Sequence, residues 1–420
     1  MKMKHIALAT LAACGLAMGS MAHAEKAKLE FWTMSLSPKF NGYFEDLVKK
    51  YNAQSADVEW VWVDYPWDVI QSKFTSAIAA GKPPALVNLN VPWAYDYFQD
   101  GLLQPVDALI KKDQYAAGAI ADVTFNGKVY AFPHYNGANV IIYNKELFKK
   151  AGLDPNKPPR TTDEMFAAAK QIKAKTGVAG YAPAIGPTKI EGYFMQNGLD
   201  IVKDGKAAVN SPAHAAFIKK IADVYKAGGF MKDNLFSQDN FQASLAAFNQ
   251  GRMAMLVSTP TTLTRIRDDA PDLYKKLDVA AAPVGPTGIV DGGWMFNFGV
   301  AKNVDAKYLA EIGKFGTYLT NTDNQLTFSK AAGTLPTSKA AALDPFFQQY
   351  EKDDLLKKGI ATAAKNLDKT RTIYLANVKD SEQVSNRLAS SVEKAVNGRE
   401  DIQKALNDAA EFLDKKIVRK

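Results

Sequence analysis

Short apolar runs and amphipathic stretches take turns along this chain, and that alternation limits its architecture more than any other feature. Leu29 to Trp32 predicts a first strand. Phe40, Phe44, Leu47, Val48 and Tyr51 then recur at helical spacing, with Asn41 as the expected cap. Val58 to Val63 predicts a second strand, and Trp67, Ile70, Phe74 and Ile78 form the next helical face. Gly81-Lys82-Pro83-Pro84 breaks that helix, and Ala85 to Leu89 predicts a third strand. Strand, helix, strand in succession implies a mostly parallel, doubly wound sheet flanked by helices, hence an α/β fold.

The pattern continues. Asn126-Gly127 lies between Val123/Phe125 and Val129/Ala131, a two-residue hairpin signal, because both central positions of such a turn need positive φ. Ala138 to Tyr143 follows as a buried strand, and Lys145 to Ala151 as a short helix stopped by Gly152. Thr161-Thr162-Asp163-Glu164 reads as a capping box. Ser211-Pro212 opens a helix whose apolar face is Phe217, Ile218, Ile221 and Val224. Ala254 to Val257 is strand-like. The chain ends in two helical stripes, Val384/Leu388/Val392/Val396 and Ile402/Leu406/Ala410/Leu413/Ile417, parted by Gly398. They are too short for a coiled coil and are packing faces.

The first two dozen residues stand apart. Lys2 and Lys4 give a positive start, Ile6 to Met18 an apolar stretch, and Ala22-His23-Ala24 a small-x-small cleavage site. Together they predict a secretory signal, residues 1–24, cleaved after Ala24. Leu11-Ala12-Ala13-Cys14-Gly15 also resembles a lipoprotein box, which would leave the protein anchored through Cys14. The short apolar stretch before Cys14 and the good site downstream favour ordinary cleavage and a periplasmic location.

Removing residues 1–24 from the 420 leaves 396, long for one core, so two lobes are expected. Cys14 is the sole cysteine; the cleaved form therefore has no disulfide, thiolate metal site or cysteine nucleophile. The chain's charge of +8 falls to +6 without the signal's two lysines, and it is spread out rather than gathered into the patch that nucleic acid demands. Only His134 and His214 remain after cleavage, and no metalloprotease, phosphate-loop, nucleophile-elbow or calcium-loop motif occurs. Neither a cofactor nor a metal is expected. Aromatic residues abound instead: six Trp, 17 Tyr and 22 Phe.

Several segments occur in a familiar order. They are Ala79-Ala80-Gly81-Lys82-Pro83-Pro84, Gly101-Leu102-Leu103-Gln104-Pro105-Val106, Lys128-Val129-Tyr130-Ala131-Phe132-Pro133 and Ile142-Tyr143-Asn144-Lys145-Glu146-Leu147-Phe148, then Gly292-Gly293 and Gly333-Thr334-Leu335-Pro336-Thr337. In that order the mature chain resembles the extracellular solute-binding proteins of carbohydrate ABC transporters, the group that includes maltose-binding protein. One departure is Ala85, where the family usually has aspartate. The resemblance implies a two-lobed periplasmic binding protein fold of type II, each lobe a doubly wound sheet, with the ligand cleft between lobes. One lobe should hold residues 25–135 and 291–337, the other 138–290 and 338–420. It further implies a monomer that closes on its ligand and is recognised by membrane permease subunits.

A sugar presents an apolar face, which suits aromatic rings, and a rim of hydroxyls, which suits amides, carboxylates and hydroxyls. Such groups are expected on loops at the carboxyl ends of strands. Trp32 and Ser35 follow the first strand, Asp64 the second, and Asn88, Asn90 and Trp93 the third. By resemblance, Tyr135, Asn136 and Asn139 lie at the first lobe crossing and Tyr193 in a loop where relatives place a stacking aromatic. Ser258 and Thr261 follow the strand-like Ala254 to Val257; maltose-binding protein has a tryptophan where Thr261 stands. Trp294 follows the Gly-Gly pair at a later crossing. Trp60 and Trp62, inside a strand, and Trp67, on a helical stripe, are assigned to the core. Asn88 and Asn90 could instead satisfy backbone groups in a turn. His134 and Arg371 are left out as a polar residue beside the crossing and as a surface or packing charge.

The leading expectation is a non-enzymatic receptor for a sugar, an oligosaccharide by its tryptophans. One alternative is a receptor for a phosphorylated small molecule such as glycerol phosphate, which would want Arg or Lys in the cleft; Lys189 lies near Tyr193. Another is an exported polysaccharide-degrading enzyme, which would need two facing carboxylates, and Asp64 shows no partner.

Overall fold

The computed structural model describes residues 26–418 except Asp239, Gly292 and Gly293. The predicted export signal, with Cys14 and the cleavage site, and the Gly-Gly pair lie outside the described residues.

The first three strands form as the alternation demands: β1 (Ala27–Met34), β2 (Val58–Tyr65) and β3 (Leu86–Asn90). β1 lies between the other two and is parallel to both. The chain then adds β4 (Ala131–Asn136), β5 (Val140–Asn144), β6 (Met255–Ser258), β7 (Leu277–Ala281), β8 (Phe296–Val300) and β9 (Leu335–Pro336). One six-stranded sheet has the order β9-β4-β8-β3-β1-β2. β8 runs antiparallel to both β3 and β4, and β9 antiparallel to β4, so the sheet is mixed beyond its first three strands. A second sheet, β6-β5-β7, has β5 at its centre, antiparallel to both neighbours. Three residues, 137–139, carry the chain from β4 in one sheet to β5 in the other.

The first sheet and one face of the second, through Val140, Ile142, Leu256 and Val279, share one hydrophobic cluster, and the other face of the second has its own. Around the first, Phe31, Phe44, Trp60 and Phe315 are fully buried, and Trp60 stacks on Phe315 at 3.9 Å. Trp62 is half-buried, stacked on Phe44 at 5.0 Å, with its indole donating to Thr33 Oγ1 at 2.7 Å. Behind the second, Ile141, Phe166, Ile218 and Ile221 meet the C-terminal helices Ser381–Val396 and Ile402–Asp414 through Leu388, Val392, Leu406 and Leu413. The two terminal stripes are therefore packing faces. No helix among the described residues is long and apolar enough to cross a membrane.

Local signals are realised closely. Asn126 and Gly127 have φ of 48° and 76°, as their hairpin requires. Thr161 and Glu164 form the reciprocal capping box of helix Thr162–Thr176. Ser211 caps Pro212–Lys226 with proline in its first turn. Two expectations fail. Phe40, not Asn41, occupies the cap of Asn41–Asn52, and the Asn41 side-chain oxygen is buried without a partner. Trp67 is 46% exposed, not core, because the helix begins only at Ile70 and its buried face is Ile70 and Phe74.

Candidate functional site

A cavity of about 590 Å³ opens beside the carboxyl end of β6. Its wall begins with Leu256, Val257 and Ser258 of β6 and continues through Thr259 and Thr261 of the turn beyond to Thr262, the first residue of helix Thr262–Asp269. Ser258 and Thr262 exchange a hydroxyl contact at 2.7 Å, Thr259 and Thr261 one at 2.9 Å, which fixes this hydroxyl-rich wall. Helix Ile190–Gln196 supplies Tyr193 and Gln196, with Lys189 before it. The Tyr193 hydroxyl meets that of Tyr181 at 3.0 Å, so the ring is held in place. Gln238, Asn240, Phe241 and Ser244 come from the start of helix Phe241–Asn249, and Arg265 from the next helix. Asn139 arrives from the crossing and Trp294 from the return to the first sheet. The hydroxyl of Ser244 is buried in this lining with no partner among the described residues, a group that a ligand could satisfy.

The first sheet contributes an aromatic strip. Trp67 packs on Trp93 at 4.9 Å and on Phe296 at 5.8 Å. Phe296 stacks on Tyr135 at 4.9 Å and meets Trp294 edge-on at 6.0 Å. Trp294 is 42% exposed and lines the large cavity as well as a small one of about 90 Å³. Gly137 makes its position possible: a Cβ there would lie 2.4 Å from the indole Cε2. Burial pushes the Tyr135 hydroxyl well above its ordinary range, so it stays protonated.

Of the residues singled out in the sequence, Asn139, Tyr193, Ser258, Thr261 and Trp294 line the large cavity. Trp93 and Tyr135 belong to the aromatic strip. Three polar residues spend their hydrogen bonds on the loops that carry it. Ser35, at φ 52°, accepts from the Trp67 N–H at 3.0 Å. Asp64 accepts from Thr33 Oγ1 and from the N–H groups of Leu36 and Ser37 at 2.6, 3.1 and 3.1 Å. Asn90 caps helix Val91–Gln99 by accepting the Trp93 N–H at 2.9 Å. Asn136 is buried; its side chain accepts the Gly137 N–H at 2.8 Å and edges the small cavity.

Trp32 and Asn88 are corrections. β1 runs on to Met34, so Trp32 lies within the strand, 5% exposed, its indole donating to Glu30 at 2.7 Å. Asn88 is the middle residue of β3, fully buried, and donates to the Asn297 carbonyl at 3.1 Å. Neither reaches the rim. Conversely, sequence reasoning missed Trp67 and Arg265. The signal for Trp67 was Asp64-Tyr65-Pro66 directly before it: proline after a strand end marks a loop.

A second hollow of about 600 Å³ lies on another face of helix Ile190–Gln196, lined by Glu191, Asp122 and Arg371 among others. Arg371 donates to the carbonyls of Asp368 and Thr370, so its guanidinium is engaged in packing. Burial pushes the Asp122 carboxyl up to about 7 despite the Thr372 N–H it accepts. Among the described residues no group of three His, Cys, Asp or Glu could hold a metal ion.

Two sheets bridged by crossing strands, with a cavity of hydroxyls, amides and rings beside the crossings, define the two-lobed α/β fold of periplasmic substrate-binding proteins. Residues 46–354 match the family of bacterial extracellular solute-binding proteins, and the chain belongs to that family. A protein of Brucella abortus (strain 2308) described as a binding protein is 29% identical over 346 residues, 78% of this chain and 80% of that one. The sn-glycerol-3-phosphate-binding periplasmic protein of the same organism is 26% identical, covering 94% of each chain. Among solved structures, a protein from Synechococcus sp. MITs9220 described as an oligosaccharide periplasmic-binding protein superposes with a TM-score of 0.81 at 22% identity, covering 92% of this chain and 98% of that one.

Proposed function

We propose that this protein captures an oligosaccharide between its lobes and delivers it to the permease subunits of an ABC importer, without chemical change. The observation that carries this reading is the pairing of an aromatic strip, Trp67-Trp93-Phe296-Trp294, with a neighbouring wall of hydroxyls and amides. Rings match the apolar face of a sugar, and the Ser258/Thr262 and Asn139/Gln196 side chains match its hydroxyls. The structural relative from Synechococcus, described as oligosaccharide-binding, supports it.

In this reading the lobes are residues 25–135 with 291–337 and residues 138–290 with 338–420, and the three crossings, at 136–137, 290/291 and 337/338, are the hinge. Ligand-contacting residues are Trp93, Tyr135, Asn139, Tyr193, Ser258, Thr261 and Trp294, joined by Trp67. Ser35, Asp64, Asn90 and Asn136 position the loops that carry them. The protein works as a periplasmic monomer after cleavage following Ala24; acylation at Cys14 would instead tether it.

Trp93→Ala and Trp294→Ala should each weaken binding of the best sugar found in a thermal-shift screen. Each loss should be roughly 0.5–1.5 kcal/mol beyond that of the buried area. Calorimetry reads the change; unaltered affinity in both, with melting temperatures kept, defeats the assignment.

A further inference from the structure

The cavity has a charge bias that a neutral sugar does not call for. Among its described lining residues are two cations, Lys189 and Arg265, and no aspartate or glutamate. Neither cation takes part in an ion pair among the described residues, although lysines elsewhere on the surface do, as Lys219 with Asp223 and Lys220 with Asp163. Arg265 gives one N–H to Gln242 at 3.0 Å and lies over the Phe241 ring at 5.6 Å, which holds the guanidinium against the cavity wall with other donors left over. The carboxyl nearest in sequence to Lys189, that of Glu191, is buried, lines the other hollow and accepts the Ser385 hydroxyl at 2.5 Å; it feels the Lys189 charge but forms no ion pair with it. The unpartnered hydroxyl of Ser244 lies in the same lining and can donate as well as accept.

Lysine and arginine are donors only, and two of them, both exposed, in a lining with no carboxylate among its described residues favour an anionic group there. We propose that the ligand is an acidic carbohydrate, one whose rings stack on the aromatic strip while a carboxylate, sulfate or phosphate substituent is taken by Lys189 and Arg265. This rests on the carbohydrate reading above and narrows it. All three substituents share the chemistry that matters here: negative charge on oxygens that accept from ammonium and guanidinium donors.

The test is a thermal-shift and calorimetric panel on the full mature protein. The probes are maltotriose and cellotriose as neutral sugars, trigalacturonate for a carboxylate, a sulfated disaccharide for a sulfate and glucose 6-phosphate for a phosphate ester, with sn-glycerol 3-phosphate as the ringless anion. An acidic sugar should bind tightest, and its affinity should fall as salt is raised from 20 to 200 mM, as expected for ion pairing. Lys189→Gln with Arg265→Gln should cost roughly tenfold or more, the loss of two charge-assisted hydrogen bonds. Lys189→Arg with Arg265→Lys should keep the preference, which guards against a folding defect. Lys415→Gln, paired with Glu411 on the C-terminal helix, controls for net charge and should change nothing. A neutral trisaccharide as the tightest ligand, unaffected by the double glutamine variant, overturns the charge assignment and leaves the carbohydrate reading standing. Binding of sn-glycerol 3-phosphate alone, or of no sugar at all, overturns both.

Discussion

Asp122 and Glu191 are carboxyls held in the interior, and each is pushed up to about 7, chiefly by burial. Their ordinary values are 3.8 and 4.5, so between those values and about 7 the folded protein holds protons that the unfolded chain has lost. Stability therefore falls as pH rises through that window. His134 and His214 act the other way. Burial lowers them to about 3 and about 4 from 6.5, so the unfolded chain takes up protons first and stability is lost as pH falls below 6.5. Asp122→Asn, which retains an oxygen acceptor for the Thr372 N–H, should remove its share of the decline from pH 4.5 to 7.5. Melting temperature across that range checks this; an unchanged slope would show that Asp122 ionises freely in the folded state. At this scale the sequence was a partial guide. Trp60, in a strand, and Trp67, on a helical stripe, were both expected in the core, yet one stacks on Phe315 and the other is half in solvent. Burial depends on where the helix starts, and that was set by three residues the periodicity did not weigh.

Elements held together by near neighbours were legible. The capping box at Thr161, the hairpin at Asn126-Gly127 and the Ser211 cap each depend on groups within four residues, so their chemistry is written in one short stretch. Thr161→Ala removes the acceptor for the Glu164 N–H at 3.1 Å. It should cost about 1 kcal/mol, read as a lower urea midpoint with an unchanged slope. A wild-type midpoint would mean that packing of Met165, Phe166 and Ile172 alone sets that helix. Strand ends were less legible. β1 runs past its predicted end to Met34, which moved Trp32 from rim to interior, whereas Asn88 already fell within the strand predicted over 85–89. Strand order was out of reach, because nothing near Phe296 says that it will lie between β3 and β4.

At the scale of the whole molecule, backbone contacts tie segments that the proposed lobe boundaries separate. Asp291 pairs in parallel with Arg371, Thr372 donates its N–H to Asp122, and Asn377 donates its N–H to the Tyr95 hydroxyl at 2.5 Å. Such a linkage suits rigid-body closure about a small number of residues. Saturating ligand should lower the radius of gyration measured by small-angle scattering, and Trp294→Ala should need more ligand for the same change. A radius indifferent to a bound sugar would argue that the lobes are already closed or do not move. The two-lobed architecture itself was anticipated, since it follows from chain length and from the order of short segments over some 300 residues. The cavity's two cations were not, because Lys189 and Arg265 are distant in sequence and only the fold brings both into the lining of one cavity.

The position of β8 has a consequence for how the protein is made. Residues 296–300 fill the gap between β3 and β4, and residues 335–336 add the edge strand. The first sheet is thus divided until three quarters of the chain has been translated. At ~5–20 residues per second, on the order of ten to forty seconds separate synthesis of β3 from that of β8. In a chain threaded unfolded through a translocase, a sheet that waits for its late strand would lengthen the interval in which threading is possible.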